Sequence, residues 1–103
     1  MNNIKYIEIS INSMSNSFDL AIDVSRNLYF TKQGKYTITN EKIEDLISII
    51  RTWKNEYGET NILDQERFLI VIKTETEEET IKSNGELPDN YDLFKNWLGD
   101  LNV

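Results

Sequence analysis

The chain has 103 residues, a formal net charge of −7, and neither cysteine nor histidine. This length suits one domain with a single hydrophobic core. The missing cysteines exclude disulfides, thiolate zinc sites and cysteine nucleophiles, and the missing histidines remove the usual general base near neutral pH. We therefore expect a protein that is not an enzyme and that carries no cofactor.

The surplus of negative charge lies in the second half of the chain. Residues 1–55 carry six acids and seven bases, whereas residues 56–103 carry twelve acids and four bases. Such a surplus of acid repels nucleic-acid phosphates and anionic lipid, and it speeds encounter with a basic protein surface. The composition therefore predicts a basic protein partner, with no nucleic acid and no membrane involved.

The N-terminal segment lacks the features of a secretory signal. It has no uninterrupted apolar region and no small-residue cleavage site, and no apolar stretch of the chain approaches membrane-spanning length. We therefore expect a cytoplasmic protein.

The first forty residues show the apolar and polar alternation of strands. Ile7, Ile9 and Ile11 fall on one face of the first strand, and a small polar turn at 13–17 predicts a hairpin with the second. The four predicted strands are residues 4–12, 18–24, 28–32 and 35–39.

The period of the apolar residues changes after Thr39. Six of them recur at spacings of three and four, which predicts an amphipathic helix with Thr39 or Asn40 as its N-cap and Gly58 at its end. The helical stripe consists of Ile43, Leu46, Ile47, Ile50, Trp53 and Tyr57.

The last third of the chain predicts a connecting loop at 59–66, two strands and a second helix. Residues 67–73, RFLIVIK, are apolar on both faces, which is typical of a central strand or one covered on both sides. Residues 79–83 are expected to return antiparallel, and Asp89 is expected to cap the second helix. The apolar stripe of that helix is Tyr91, Phe94, Trp97, Leu98 and Leu101.

The order β-β-β-β-α-β-β-α predicts one α+β domain over residues 1–103. Its sheet is expected to be mainly antiparallel, with five to six strands and both helices packed on one face. Trp53 and Trp97 lie on the apolar stripes and are predicted to be core residues. The other face of the sheet carries Asp19 and Asp23 and is open to solvent or to a partner.

Four glutamates crowd into five positions between the last two predicted strands. They form either a solvated hairpin tip, which discourages edge-to-edge pairing, or an interface at which a basic partner relieves their mutual repulsion. The predicted partner-binding residues are Glu75, Glu77, Glu78, Glu79 and Glu86, with Asp19 and Asp23 as a second patch.

Other carboxylates could serve as calcium ligands but lack the required spacing. Asp64, Glu66, Asp89 and Asp92 lie in or near loops, yet the D-x-[DN]-x-[DN]-G pattern of a calcium loop is absent. No metal site and no catalytic residue is predicted.

The segments SFDLAIDVSRNLYFTKQGKYTIT, LISIIRTW, FLIVIK and NGELPDN resemble those of small bacterial single-domain proteins of unknown function. Small acidic proteins with this layout are similar to immunity proteins, which cap the toxin encoded by a neighbouring gene. The resemblance implies a toxin or nuclease-like effector as the basic partner and assigns no functional residue. The alternatives are a phage-encoded inhibitor of a bacterial defence system, or a structural or regulatory module that forms a homodimer through a sheet edge; the chain itself is expected to be a monomer or a homodimer.

Overall fold

The computed structural model describes residues 3–14, 16–60 and 66–101. Ser15, within the predicted turn at 13–17, and residues 61–65, within the predicted connecting loop, lie outside the described residues. In the described part, the elements are β1 (Tyr6–Asn12), β2 (Ser17–Asp23), β3 (Leu28–Thr31), β4 (Gly34–Thr37), α1 (Asn40–Ile50), β5 (Glu56–Glu59), β6 (Arg67–Lys73), β7 (Glu78–Asn84) and α2 (Tyr91–Asp100).

The strands form one mixed sheet in the order β4-β3-β2-β1-β6-β7-β5. Every neighbouring pair is antiparallel except β5 and β7, which run parallel. The predicted α+β class is therefore confirmed, whereas the predicted count of five to six strands in a mainly antiparallel sheet is too low, because the described residues contain seven strands in a mixed sheet with one parallel pair.

Both helices pack on the same face of this sheet. On the inner face, Ile7, Ile9 and Ile70 are almost completely buried, and they face Leu46 of α1 and Phe94 of α2 in one continuous core. Each fully buried aliphatic or aromatic side chain of this kind stabilises the fold by about 1.5–3 kcal/mol relative to an exposed one. The alternation that predicted β1 and β2 is thus the pattern of a sheet covered on one side.

Hydrogen bonds from buried aromatic residues tie the two helices to each other and to the sheet. Trp97 Nε1 donates to the Lys42 carbonyl oxygen at 2.7 Å and thereby links α2 to α1. Tyr29 Oη donates to the Leu101 carbonyl oxygen at 3.0 Å and links β3 to the end of α2. Trp53 and Trp97 are both buried, which confirms their prediction as core residues.

Helix α1 is shorter than predicted and ends at Ile50 rather than near Gly58. After it, Thr52 Oγ1 donates to the Ile49 carbonyl oxygen at 2.8 Å, and the chain turns so that Trp53 enters the core. Tyr57 is buried as expected of a stripe residue, but it belongs to strand β5. The spacing of four residues between Trp53 and Tyr57 fits a helix, although the backbone is no longer helical after Ile50.

The N-cap prediction holds for α1 and fails for α2. Thr39 Oγ1 accepts a hydrogen bond from the backbone N–H of Lys42 at 3.1 Å, which confirms Thr39 as the cap of α1. In α2 the N-cap residue is Asn90, not Asp89, and its side chain makes no capping hydrogen bond. Asn90 Oδ1 instead accepts from Trp53 Nε1 at 2.6 Å, because the buried indole N–H needs a partner.

Neither α1 nor α2, the helices of the described part, is long and apolar enough to cross a membrane.

The cap of α1 yields a stability prediction. We expect Thr39→Ala to lower the free energy of unfolding by about 1 kcal/mol, because the Lys42 N–H loses its acceptor. Ser48→Ala, at an exposed position inside the same helix, is the control and should leave stability unchanged or slightly higher. Urea unfolding followed by circular dichroism measures both variants, and equal effects would contradict the capping role of Thr39.

Candidate functional site

A cleft of about 610 Å³ opens between the C-terminal end of α1 and the hairpin that joins β6 to β7. Its floor is apolar and is formed by Ile4, Ile47, Ile50, Trp53, Ile72 and Ile81. Its rim is polar and is formed by Asn3, Arg51, Thr74, Glu77, Glu78 and Glu79. We call this site the acidic cleft. It exists because α1 stops at Ile50 and leaves the inner face of β6 and β7 partly uncovered near their hairpin.

The hairpin turn is held by a threonine rather than by its glutamates. Thr74 Oγ1 accepts hydrogen bonds from the backbone N–H groups of Thr76 and Glu77 at 3.3 and 3.0 Å, and Thr74 N–H donates to the Glu77 carbonyl oxygen at 2.9 Å. Because Thr74 already provides hydrogen-bond partners for the backbone of the turn, the glutamate side chains are not needed there and face solvent. Glu75, Glu77, Glu78 and Glu79 are all exposed.

These four glutamates lack ion-pair partners within residues 3–14, 16–60 and 66–101. The ion pairs found there are Arg26–Asp23, Lys42–Asp100, Lys73–Glu8, Lys82–Glu56 and Lys95–Glu66. Glu79 accepts one neutral hydrogen bond, from Asn55 Nδ2 at 3.0 Å. Arg51 lines the acidic cleft but forms none of these ion pairs. The rim therefore carries an excess of negative charge above an apolar floor.

The register of β7 divides the glutamates between the two sides of the sheet. Glu79 lies opposite Ile72, on the helix side, whereas Glu78 lies opposite Lys73, on the side that faces away from the helices. Glu77 and Glu79 are therefore the glutamates best placed to contact a group that enters the acidic cleft from the helix side.

The other predicted contact residues lie elsewhere. Glu86 Oε1 accepts from the Gly58 N–H at 3.0 Å, so this carboxylate ties the segment after β7 to β5. Asp19 accepts from Ser10 Oγ at 2.8 Å on the outward face of the sheet. Asp23 is only 5% exposed, accepts from Ser25 Oγ at 3.0 Å and pairs with Arg26 at 3.5 Å. The structure thus brings together the hairpin glutamates but not Glu86, Asp19 and Asp23, whose role as partner contacts stays a prediction.

A second cluster of polar residues joins the start of β6 to α2. Glu66 accepts from Tyr91 Oη at 2.6 Å and from Lys95 Nζ at 2.7 Å, beside a smaller cavity of about 340 Å³. Sequence reasoning considered Glu66 only as a metal ligand. The spacing of four between Tyr91 and Lys95, which places both on one helix face, is the signal that could have found the cluster.

This cluster shifts two pKa values for opposite reasons. Burial alone would raise the pKa of Glu66, but hydrogen bonds from Lys95 and Tyr91, with the positive charge of Lys95, outweigh burial and hold that pKa below its ordinary value. The pKa of Tyr91 is raised, first by burial and then by the hydrogen bond and negative charge of Glu66. The arrangement connects two elements and keeps the carboxylate ionised.

No group of three or more carboxylates close enough to hold a metal ion occurs among the residues that the structure describes, and Asp64 lies outside them.

Comparisons of the chain with protein-family models, with curated proteins and with solved structures find no match.

The lowered pKa of Glu66 predicts a loss of stability in acid. A carboxylate whose pKa is depressed by folding stabilises the native state above the unfolded pKa of about 4.3, and this contribution is lost as pH falls through the folded value. We expect Glu66→Gln to cost less than about 1 kcal/mol at neutral pH, since the pair is partly solvated.

The test is urea unfolding of the wild type and of Glu66→Gln from neutral pH down to about pH 3. The wild type should lose more stability below about pH 5 than the variant does. Glu75→Gln, which changes an exposed hairpin glutamate, is the control and should keep the slope of the wild type. Parallel curves for wild type and Glu66→Gln would contradict the assignment.

Proposed function

We propose that this chain is a small acidic binding protein that inhibits a basic protein partner by covering it, as immunity proteins cover their toxins, without catalysing a reaction. The observation that carries the proposal is the acidic cleft, where an apolar floor lies beneath glutamates that have no ion-pair partner among the described residues. The partner supplies the missing positive charge.

Electrostatic repulsion within the hairpin supports this proposal. Four carboxylates in five positions repel one another, and a cationic partner surface converts that repulsion into attraction when it binds. Because the rim is exposed, the attraction acts mainly on the rate of encounter and is screened by salt. The glutamates therefore steer the partner rather than supply most of the affinity.

The floor of the acidic cleft is the source of affinity. Trp53, Ile72 and Ile81 line it, and Ile72, which packs against the core, is only half-buried and leaves part of its side chain open to the cleft. The volume of about 610 Å³ admits several side chains and falls within the range of about 300–1,000 Å³ that is typical of binding sites. We infer that the partner offers an apolar side chain flanked by lysine or arginine, so that one group fills the floor while the others meet the rim.

The described groups whose pKa values are shifted are Tyr29, Glu66 and Tyr91, and each links two elements of the fold. A general acid or base works best with a pKa near the operating pH. The shifts found here move away from neutrality, since burial raises the pKa of Tyr29 and of Tyr91, and Lys95 and Tyr91 lower that of Glu66. Each of these three groups is accounted for by a packing contact or hydrogen bond that links two elements.

The decisive experiment is coexpression with the product of the neighbouring gene, followed by affinity capture and measurement of the association rate. We expect a stable complex whose association slows by on the order of tenfold or more between about 0.05 and 0.5 M salt, because screening removes the steering. Absence of a complex would contradict the proposed partner. An association rate that salt leaves unchanged would show that the acidic cleft is not the interface.

Two double charge reversals distinguish the effect of the rim glutamates on the association rate from the effect of the net charge. We expect Glu77→Lys combined with Glu79→Lys to slow association with the captured partner by at least about tenfold. The control combines Glu44→Lys with Asp45→Lys, which makes the same change in net charge at exposed positions of α1 outside the acidic cleft. Equal slowing by the two double variants would mean that net charge alone steers the partner.

A further inference from the structure

We infer that two copies of this chain associate through the open face of the sheet, which we define as the strand residues that face away from α1 and α2. The inference is independent of the partner proposed above. It rests on the exposed apolar residues of this face, on its charge and on its symmetry.

The open face carries apolar side chains that no described element of the chain covers. Tyr6 is 46% exposed, Phe30 37% and Leu69 41%, and the register places all three on this face. Val71, two residues after Leu69, is half-buried on the same side. Strand β6 is thus apolar on both faces, a pattern typical of strands covered on both sides, while the helices cover only one. A second copy packed against the open face covers the other side of β6.

The charge of the open face permits close approach of an identical copy. Its strand residues include six carboxylates and four bases, a net formal charge of −2 in a chain of −7: Glu8, Asp19, Asp23, Glu56, Glu59 and Glu78 against Lys35, Arg67, Lys73 and Lys82. Several of these charges are already paired, as Glu8 is with Lys73 at 3.2 Å. Two copies therefore repel each other least through this face, and the remaining acid lies elsewhere on the molecule.

The strand order makes the open face self-complementary. A two-fold axis that runs along the strands between β1 and β2 places β3 of one copy over β6 of the other, and β4 over β7. Phe30 then meets Val71 of the second copy, and Lys35 lies over Thr80 of the second copy, between Glu78 and Lys82. Lys82 is already paired with Glu56, whereas Lys35 and Glu78 form no ion pair among the residues described, so Lys35 pairs with Glu78 of the second copy.

The size of the contact suits a weak but specific dimer. Six strands spaced about 4.8 Å apart and about 20 Å long cover on the order of 500 Å² of sheet plane in each copy, or about 1,000 Å² in total before side-chain relief is counted. The edges of the sheet are poorer contacts: β4 has four residues, and β5 carries Glu56 and Glu59, which would face their own copies. The face is thus favoured over the edge.

Sedimentation velocity from about 1 μM to about 1 mM tests the inference. We expect a reversible dimer whose dissociation constant rises at least about tenfold in Phe30→Glu and in Leu69→Glu, because each buries a charge in the interface. Leu93→Glu is the matched control, since Leu93 is 50% exposed on α2, and it should leave dimerisation unchanged. Circular dichroism confirms that each variant is folded, and the substitution at Leu69 stands in if the one at Phe30 unfolds the chain.

A charge swap tests the proposed axis. Lys35→Glu alone should weaken the dimer by repulsion from Glu78 of the second copy, and adding Glu78→Lys should restore it. A monomer at every concentration would overturn the inference and leave the open face to water or to a different protein. A dimer that Leu93→Glu weakens as much as Leu69→Glu does, or that the swap fails to restore, would overturn it as well.

Discussion

The structure depends on the burial of one face of a wide sheet beneath two helices. Ile7, Ile9 and Ile70 are sealed by Leu46 and Phe94, and this contact fixes which side of every strand is inside. Two helices side by side cover roughly 20 Å, whereas seven strands span roughly 30 Å, so the helical layer cannot reach both edges. The acidic cleft lies where α1 stops short beside the β6–β7 hairpin, and the open face is the side of the sheet that neither helix covers.

The elements with strong periodicity were predictable from the sequence, and those set by distant contacts were not. Alternation located β1 and β2, and a continuous apolar run located β6, each to within about two residues. Strand β5 was not predicted, because it has only four residues and a single buried side chain, Tyr57. The spacing of Tyr57 from Trp53 fits a helix equally well. Its parallel pairing with β7 joins segments about twenty-five residues apart, and no local pattern specifies such a pair.

The candidate site was predictable in its charge but not in its shape. Four glutamates between two apolar runs had to be exposed, and the structure places Glu75 and Glu77 on a turn that Thr74 stabilises and the other two at the start of β7. The apolar floor beneath them depends on where α1 ends and on how Trp53 enters the core, and neither follows from composition. The same limit explains Glu86 and Asp23, which the sequence could not separate from free acids. One is held by the Gly58 N–H and the other by Arg26 and Ser25, contacts that exist only after folding.

The two surfaces lie on opposite sides of the sheet, and this separation bears on how they act together. Pairing through the open face leaves the helix side of each copy exposed, so a dimer presents two acidic clefts that point away from each other. Under the proposed function, the acid on the helix side and the hairpin would attract a basic partner, and the same charge would keep identical copies from meeting there. Two clefts on one particle would bind a partner that is itself dimeric with an effective concentration far above that of a single cleft, provided that the geometry spans both sites. The proposed inhibition would then gain strength from symmetry without any additional contact in either cleft.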